Sequence, residues 1–321
     1  MEAIFMDMDI TVLDFKLRAK EEIKLPEHPG STFRGAFGHG LYNICCSLRN
    51  KICDECNLKS NCAYSLLFNP FLTGKEREDS STRFHNKPRP FVIKNPPAKE
   101  LFQKDELIEF QIVLFGYMNK FTPFIIESWR YLEKEGLGAS REKFQLEEVW
   151  QINEIAGNSV RIYSARDNKI HNPDIKINSQ DIKNYSSSLK DKNNITLTLE
   201  TPVLLKYQGD YVKKLRFHIL IQNLFRRLSS LSYFYGKEKL ELDFREYIDK
   251  ARKVEIDNDR TEWLHWQRLS NRQDRKINMY GLTGEITYAG QLQPYLDYLL
   301  WGQYTNVGKN TAFGQGAYRV N

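Results

Sequence analysis

The sequence predicts an α+β protein in which one order of elements occurs twice, as two tandem ferredoxin-like (RRM-like) domains. Three observations predict it. Segments with apolar–polar alternation, DMDITVLDFKLRAK (7–20) and ITLTLETPVLLKY (195–207), open two halves as strands. A helical segment follows each, STFRGAFGHGLYNICCSL (31–48) in the first half and KLRFHILIQNLFRRLSSLSYFYG (214–236) in the second. The latter spaces Leu215, Ile219, Leu220, Leu224, Phe225, Leu228 and Leu231 as one apolar face. Both halves then continue with strands, a helix and a last strand, which is the ferredoxin-like order.

In the first half, Ser31 or Thr32 is the expected N-cap of the helix. A polar, cysteine-rich insertion at 45–62 follows it. RPFVIKNPP (89–97) is a short strand closed by prolines, and LIEFQIVLFGY (107–117) is a longer one. FTPFIIESWRYLEKEGLG (121–138) is a helix ending at glycine, and a strand hairpin fills 144–165. The polar run 171–194 has little to bury and is expected as a linker or long loop. In the second half, WLHWQRLS (263–270) and YGLTGEITYAG (280–290) are strands, PYLDYLLWGQY (294–304) is a helix, and AYRV (317–320) is the closing strand. The expected domains are therefore 1–170 and 195–321.

The composition, 41% hydrophobic and 27% charged over 321 residues, is that of a globular chain and not a disordered one. No apolar run approaches the roughly 18–20 residues of a membrane helix. The start, MEAIFMDMDITVLDF, carries acids where a signal peptide carries bases. A cytoplasmic protein without a membrane partner is expected, as a monomer or homodimer. The net charge of +6 is localised. Residues 201–276 hold 17 Lys and Arg against 11 Asp and Glu, which is the whole excess, and this favours a surface for a polyanion there.

The chain closes on NVGKNTAFGQGAY (306–318), where Gly308, Gly314 and Gly316 surround Lys309. A nucleotide P-loop is excluded. Asn310 stands where Ser or Thr should follow the Gly-Lys pair, and no helix fits afterwards. Two readings remain: a loop whose bare amides hold phosphate beside Lys309, or a tight helix-to-strand turn. RLSNRQDRK (268–276) gathers Arg268, Arg272 and Gln273, suited either to phosphate recognition or to internal hydrogen bonds. The cysteines form a tighter pattern. Cys46-x6-Cys53-x2-Cys56-x5-Cys62 gives the thiolates of a structural tetrahedral Zn site. Cys45 is an alternative to Cys46, an iron–sulfur cluster uses the same ligands, and unliganded thiols are the remaining alternative.

VGKNTAFGQGAYRV resembles the C-terminal glycine-rich loop and last strand of the CRISPR-associated RAMP proteins, and more narrowly of their repeat-cleaving endoribonuclease family. FRGAFGHGL, CDECNLKSNCAYSLLF, RPFVI, LETPVLLK, RLSNRQ and GLTGEITYAG resemble that family in the same order along nearly the whole chain. The resemblance implies a tandem ferredoxin-like fold that binds CRISPR repeat RNA (pre-crRNA) and cuts it without a metal cofactor for catalysis. It also implies other CRISPR effector subunits as partners. Such cleavage uses the 2′-hydroxyl as nucleophile, so the protein supplies a base, an acid and positive charge, and histidine suits either proton role. Because catalytic histidines of the family often sit on the first helix, His39 is the expected acid or base. Arg34 is expected to balance charge and Tyr42 to assist. The other reading of His39 is a helix-packing position. A non-catalytic RAMP-type subunit that holds crRNA in an effector complex is the alternative function. His265 shares a strand face with Trp263, and His218 borders the apolar stripe of the long helix. His28, His85 and His171 are expected at the surface.

Overall fold

In the computed structural model the described residues are 6–48, 52–74, 76, 84, 86–171, 173–189, 193–270 and 275–321. They form two units. The N-terminal unit spans 8–177 and includes Phe234–Lys237, while the C-terminal unit holds 178–233 and 238–321 together with Met6 and Asp7.

The N-terminal unit is built from strands β1 (Ile10–Ala19), β2 (Ile23–Lys24), β3 (Phe91–Lys94), β4 (Leu101–Phe102), β5 (Leu107–Phe115), β6 (Phe144–Asn153) and β7 (Asn158–Ser164). Its helices are α1 (Gly30–Cys45), α2 (Ala63–Phe68) and α3 (Thr122–Glu135). Apart from a small β2–β4 pair, the strands make one antiparallel sheet in the order β3-β5-β1-β6-β7. With β7 set aside, the order in each repeat is second, third, first, fourth. The C-terminal unit follows the same rule with α4 (Ser179–Ser188), β8 (Asn194–Val203), β9 (Lys206–Tyr207), β10 (Asp210–Tyr211), α5 (Phe217–Tyr235), α6 (Phe244–Ala251), β11 (Glu255–Ser270), β12 (Arg275–Ala289), α7 (Leu296–Thr305) and β13 (Tyr318–Val320). Its main sheet runs β11-β12-β8-β13, again antiparallel. Both sheets thus have the ferredoxin-like arrangement that the element order predicts. No helix among the described residues is long and apolar enough to cross a membrane.

Alternation on β1 and β5 buries Phe15 opposite Phe110, with ring centroids 5.2 Å apart. Phe33 of α1 lies 4.5 Å from Phe110, and Trp129 of α3 lies 4.7 Å from the same ring. This aromatic cluster ties both helices to one face of the sheet. The two helices also touch each other closely. A Cβ at Gly40 would stand 2.4 Å from the Ser128 carbonyl oxygen, so only glycine fits there. In the C-terminal unit the Tyr288 hydroxyl donates to the Leu215 carbonyl at 2.6 Å, and that of Tyr318 to Leu299 at 2.7 Å. These bonds let large rings fill the core without an unpaired oxygen.

Two expectations need correction, and one helix was not expected. The first helix begins at Gly30 behind Pro29, whose ring pre-sets the backbone, and neither Ser31 nor Thr32 caps it. The polar run 171–194 contains α4, started by a reciprocal capping box between Asn178 and Asp181 and seated by buried Ile182 and Ser186. Helix α6, absent from the sequence reading, starts where the Asp243 side chain accepts from the Glu246 amide.

Gly35 and Gly40 give a matched prediction. A Cβ at Gly35 meets nothing within 4 Å, so Gly35→Ala is neutral or stabilises by about 0.5–1 kcal/mol. Gly40→Ala forces α1 from α3 and destabilises by about 1–3 kcal/mol. Urea unfolding of both variants checks this; equal midpoints would show that the helices do not depend on that contact.

Candidate functional site

The small residues of α1 govern where its polar side chains go. Because Gly40 lets α1 approach α3, His39 comes to the C-terminal end of that helix, with its side chain 52% exposed. Its Nε2 lies 3.9 Å from Glu135 Oε2, and its ring centroid lies 6.4 Å from that of Tyr131. The Tyr131 hydroxyl donates to Glu135 Oε1 at 3.4 Å. Asn43, one turn along α1, donates to the His39 carbonyl at 2.9 Å and holds its amide nitrogen 3.4 Å from the imidazole nitrogens. An exposed imidazole with a carboxylate and a phenol beside it can take up and return a proton.

The structure does not bring Arg34 and Tyr42 to that imidazole. The Arg34 guanidinium lies 4.8 Å over the Phe68 ring, and Tyr42 meets Tyr64 edge-on at 5.2 Å. Both partners belong to α2, so these contacts fix α1 against α2 rather than complete a trio with His39. Tyr131 and Glu135 were missed by sequence reasoning because they meet His39 only through helix packing. Their one sequence signal is the spacing of four on one helix face, in YLEKE.

The cysteine segment folds beside α2. Cys45, Cys46, Cys53, Cys56 and Cys62 are half-buried and unpaired, and all five line one cavity of about 280 Å³. Burial, with Cys62 and Cys46 nearby, pushes the Cys45 thiol up to about 11. Burial raises Cys53 as well, with Cys62, Cys46 and Cys56 adding to it. The thiols that spacing singled out therefore converge, though among the described residues no group of three or more Cys, His, Asp or Glu is arranged to hold a metal ion.

In the C-terminal unit the glycine-rich loop joins α7 to β13. Gly308, Gly314 and Gly316 have φ of +88°, +82° and +76°, a region that side chains disfavour. Cβ atoms at Gly308 and Gly316 would meet the chain's own Leu204 and Val307 carbonyls at 2.4 and 1.9 Å. The amides also turn inward. Lys309 donates to Leu204, Gly316 to Pro202, and Gly314 to Thr311. These three amides serve the turn, which corrects the expectation of bare amides held out for phosphate, while the Lys309 side chain is exposed. Arg268 lays its guanidinium 4.6 Å over Phe313 of the loop, and burial works against its charge. Its Nε is buried without a hydrogen-bond partner. Arg272, Gln273 and His85 lie outside the described residues. His218 sits edge-on to Tyr207 at 5.9 Å, and burial lowers its pKa.

Two tandem ferredoxin-like units, one with an exposed histidine on its first helix and one with a glycine-rich loop before its last strand, are the arrangement that the sequence resemblance implies. Solved structures agree on the fold. Cas6 of Thermus thermophilus is 12% identical and aligns over 98% of this chain and 99% of its own, with a TM-score of 0.56. A partial Cas6-RT-Cas1–Cas2 complex aligns over the whole of this chain and 47% of its own at 12% identity, with a TM-score of 0.61. An uncharacterized protein of Archaeoglobus fulgidus is 25% identical over 301 residues, 92% of each chain. Residues 8–175 match the family model of the AF_1859 N-terminal domain, and 197–318 match that of the CRISPR-associated endoribonuclease Cas6. The chain therefore belongs to the family of the AF_1859 N-terminal domain, and its C-terminal part matches the CRISPR-associated endoribonuclease Cas6 family.

The loop geometry gives a second prediction. Gly316→Ala sets a Cβ against the Val307 carbonyl in a positive-φ turn, so it destabilises by more than the about 1–3 kcal/mol of a strained backbone alone. Lys309→Ala, at an exposed side chain, changes stability by less than about 0.5 kcal/mol. Thermal melts of the two variants compare them directly.

Proposed function

We propose that this protein cleaves CRISPR repeat RNA by attack of a 2′-hydroxyl on the adjacent phosphate, with His39 as its acid or base. The observation that carries this reading is the exposed imidazole beside Glu135 and Tyr131, in a chain whose residues 197–318 match an endoribonuclease family. In the reaction the 2′-oxygen bonds to phosphorus as the bond to the 5′-oxygen breaks. A base removes the 2′-hydroxyl proton, an acid protonates the departing oxygen, and the products are a cyclic phosphate and a 5′-hydroxyl. Neither proton transfer calls for a metal ion. Imidazole is the side chain of this cluster whose chemistry suits either transfer. Glu135 orients the ring and offsets the charge of an imidazolium formed during the step. Tyr131 holds the carboxylate.

Gly308, Gly314 and Gly316 shape the loop that displays Lys309, and Lys309 with Arg268, Arg272 and Gln273 is assigned to the RNA backbone. Kinship to chains found in a Cas6-RT-Cas1–Cas2 assembly makes other CRISPR proteins the expected protein partners. Cys46, Cys53, Cys56 and Cys62 are further assigned to a structural zinc, supported by the convergence of their thiols on one cavity. Four thiolates complete a tetrahedral shell, so the ion would brace the segment and take no part in cutting.

Purified protein is expected to cut the repeat RNA of its own array once, in excess EDTA, and to leave intact a strand with 2′-deoxy at the cut site. His39→Ala slows the cut by about 10²–10⁴-fold. Glu135→Gln slows it less and displaces the pH–rate profile while RNA affinity holds. A cut that His39→Ala leaves unchanged removes His39 from the mechanism, and tight binding with no cut selects the guide-holding subunit instead. Metal analysis of the native protein is expected to find about one zinc per chain. Cys56→Ser should lose it and melt at lower temperature; a metal-free native protein discards the assignment.

A further inference from the structure

The long hairpin of the C-terminal unit carries a feature that neither proton transfer nor the glycine loop uses. Antiparallel pairing sets His265 of β11 opposite Tyr280 of β12, and Gln267 opposite Asn278. Residues two apart share a face, so Trp263, His265 and Gln267 stand together with Tyr280 and Asn278. Their rings form a near-parallel series. His265 and Tyr280 are 4.7 Å apart and 12° from parallel, and Tyr280 and Trp263 are 6.2 Å apart and 20° from parallel. At the Trp263 end the Lys213 ammonium lies 5.8 Å from the ring centroid. At the His265 end two amides gather. Gln267 Nε2 donates to Asn278 Oδ1 at 3.0 Å, and His265 Nε2 lies 3.4 Å from the same oxygen. His265, Gln267 and Asn278 are exposed, and Trp263 and Tyr280 are half-exposed.

Core packing does not account for three aromatic rings at solvent-accessible positions. Their surroundings fit a specific ligand. Parallel rings offer a π face to any nucleobase, the side-chain amides beside them can pair with a base edge, and lysine supplies charge for the phosphate. Lys213, Lys214 and Lys276 are exposed in the basic segment 201–276. Glu262 directly precedes Trp263 on β11 and so alternates to the opposite face. A duplex would keep its bases stacked inside, so the rings call for an unpaired nucleotide.

We propose that Trp263, Tyr280 and His265, with Gln267 and Asn278 at the end of the series, form a seat on which one unpaired RNA nucleotide stacks outside the cleavage chemistry. The proposal rests on the RNA-processing reading above and adds the class of nucleotide recognised, single-stranded and held by its base face.

Abasic scanning tests it. Fluorescence anisotropy at fixed salt measures affinity for the repeat RNA with 2′-deoxy at its cut site, and for a series in which each nucleotide in turn lacks its base. In the native protein one unpaired position should lose about 5–150-fold on base removal, the range carried by one base–aromatic stack. Tyr280→Leu keeps apolar bulk and should weaken the intact RNA similarly, while making that abasic position indifferent. Tyr280→Phe should restore both, and circular dichroism melts confirm that each variant is folded. His265→Ala, at an exposed position, should reproduce the loss should Tyr280→Leu fail to fold. The proposal is overturned if Tyr280→Leu and His265→Ala lower the melting temperature without altering affinity, since the rings then only brace the hairpin. It also falls if the sensitive nucleotide is base-paired, or if a fully complementary duplex binds as well as the single strand. In these cases cutting by His39 stands untouched, whereas a native protein that binds no RNA removes both readings.

Discussion

Helix α1 can lie against α3 only because residue 40 has no side chain, and much of the N-terminal unit follows from that contact. The Ser128 carbonyl occupies the space a Cβ at 40 would need. Close approach lets Phe33 and Trp129 both reach Phe110, so the aromatic cluster closes over β1 and β5 as one layer. The same contact carries the neighbouring residue, His39, to the last turn of α3, where Glu135 and Tyr131 are. Packing and chemistry therefore share one constraint. The glycines of α1 lower its intrinsic helical stability, and tertiary contact offsets that loss.

The two units repeat one topology and use it differently. In the N-terminal unit the exposed chemistry is on the first helix. In the C-terminal unit the corresponding helix, α5, turns an apolar face to the sheet, and the exposed polar groups lie on the β11–β12 hairpin and beside the loop before β13. That loop is held from within by its own amides, and positive φ at three glycines makes the path possible. Its rigidity comes from those bonds and leaves Lys309 as its exposed charge. A fixed support for an exposed cation suits a partner whose backbone is a regular row of phosphates.

The order of elements was legible because alternation and helical spacing report which face of each segment is buried, and two halves with one order reinforce each other. The place of His39 on the first helix was legible, since the helical segment read over 31–48 contains it. Its partners were not, since Tyr131 and Glu135 lie more than ninety positions away and meet it only once α1 and α3 are packed. Helices α4 and α6 carried their signals in the open, in Asn178 with Asp181 and Asp243 with Glu246. Polarity on their exposed faces outweighed those caps. The role of the glycine loop's amides was not legible, because spacing says that backbone can come close and does not say to what. Register likewise decides that His265 faces Tyr280, and a single-residue slip would send those rings to opposite faces.

The cysteine segment illustrates how a part without proton chemistry bears on the helix that carries His39. Its thiols line a cavity between the end of α1, at Cys45 and Cys46, and the start of α2, at Cys62. Helix α2 returns aromatic contacts to α1: Phe68 meets Phe37 at 4.9 Å and lies under Arg34, and Tyr64 meets Tyr42. Helix α1 is thus held along one side by α3 through Gly40 and along another by α2 through aromatic and cation–π contacts, each of the latter worth about 0.5–1 kcal/mol. Loosening the segment leaves the imidazole chemically unchanged and its helix less firmly placed. A general acid or base is effective only within hydrogen-bond reach of its proton, so under the role proposed for His39 the segment would bear on cleavage through the position of that side chain.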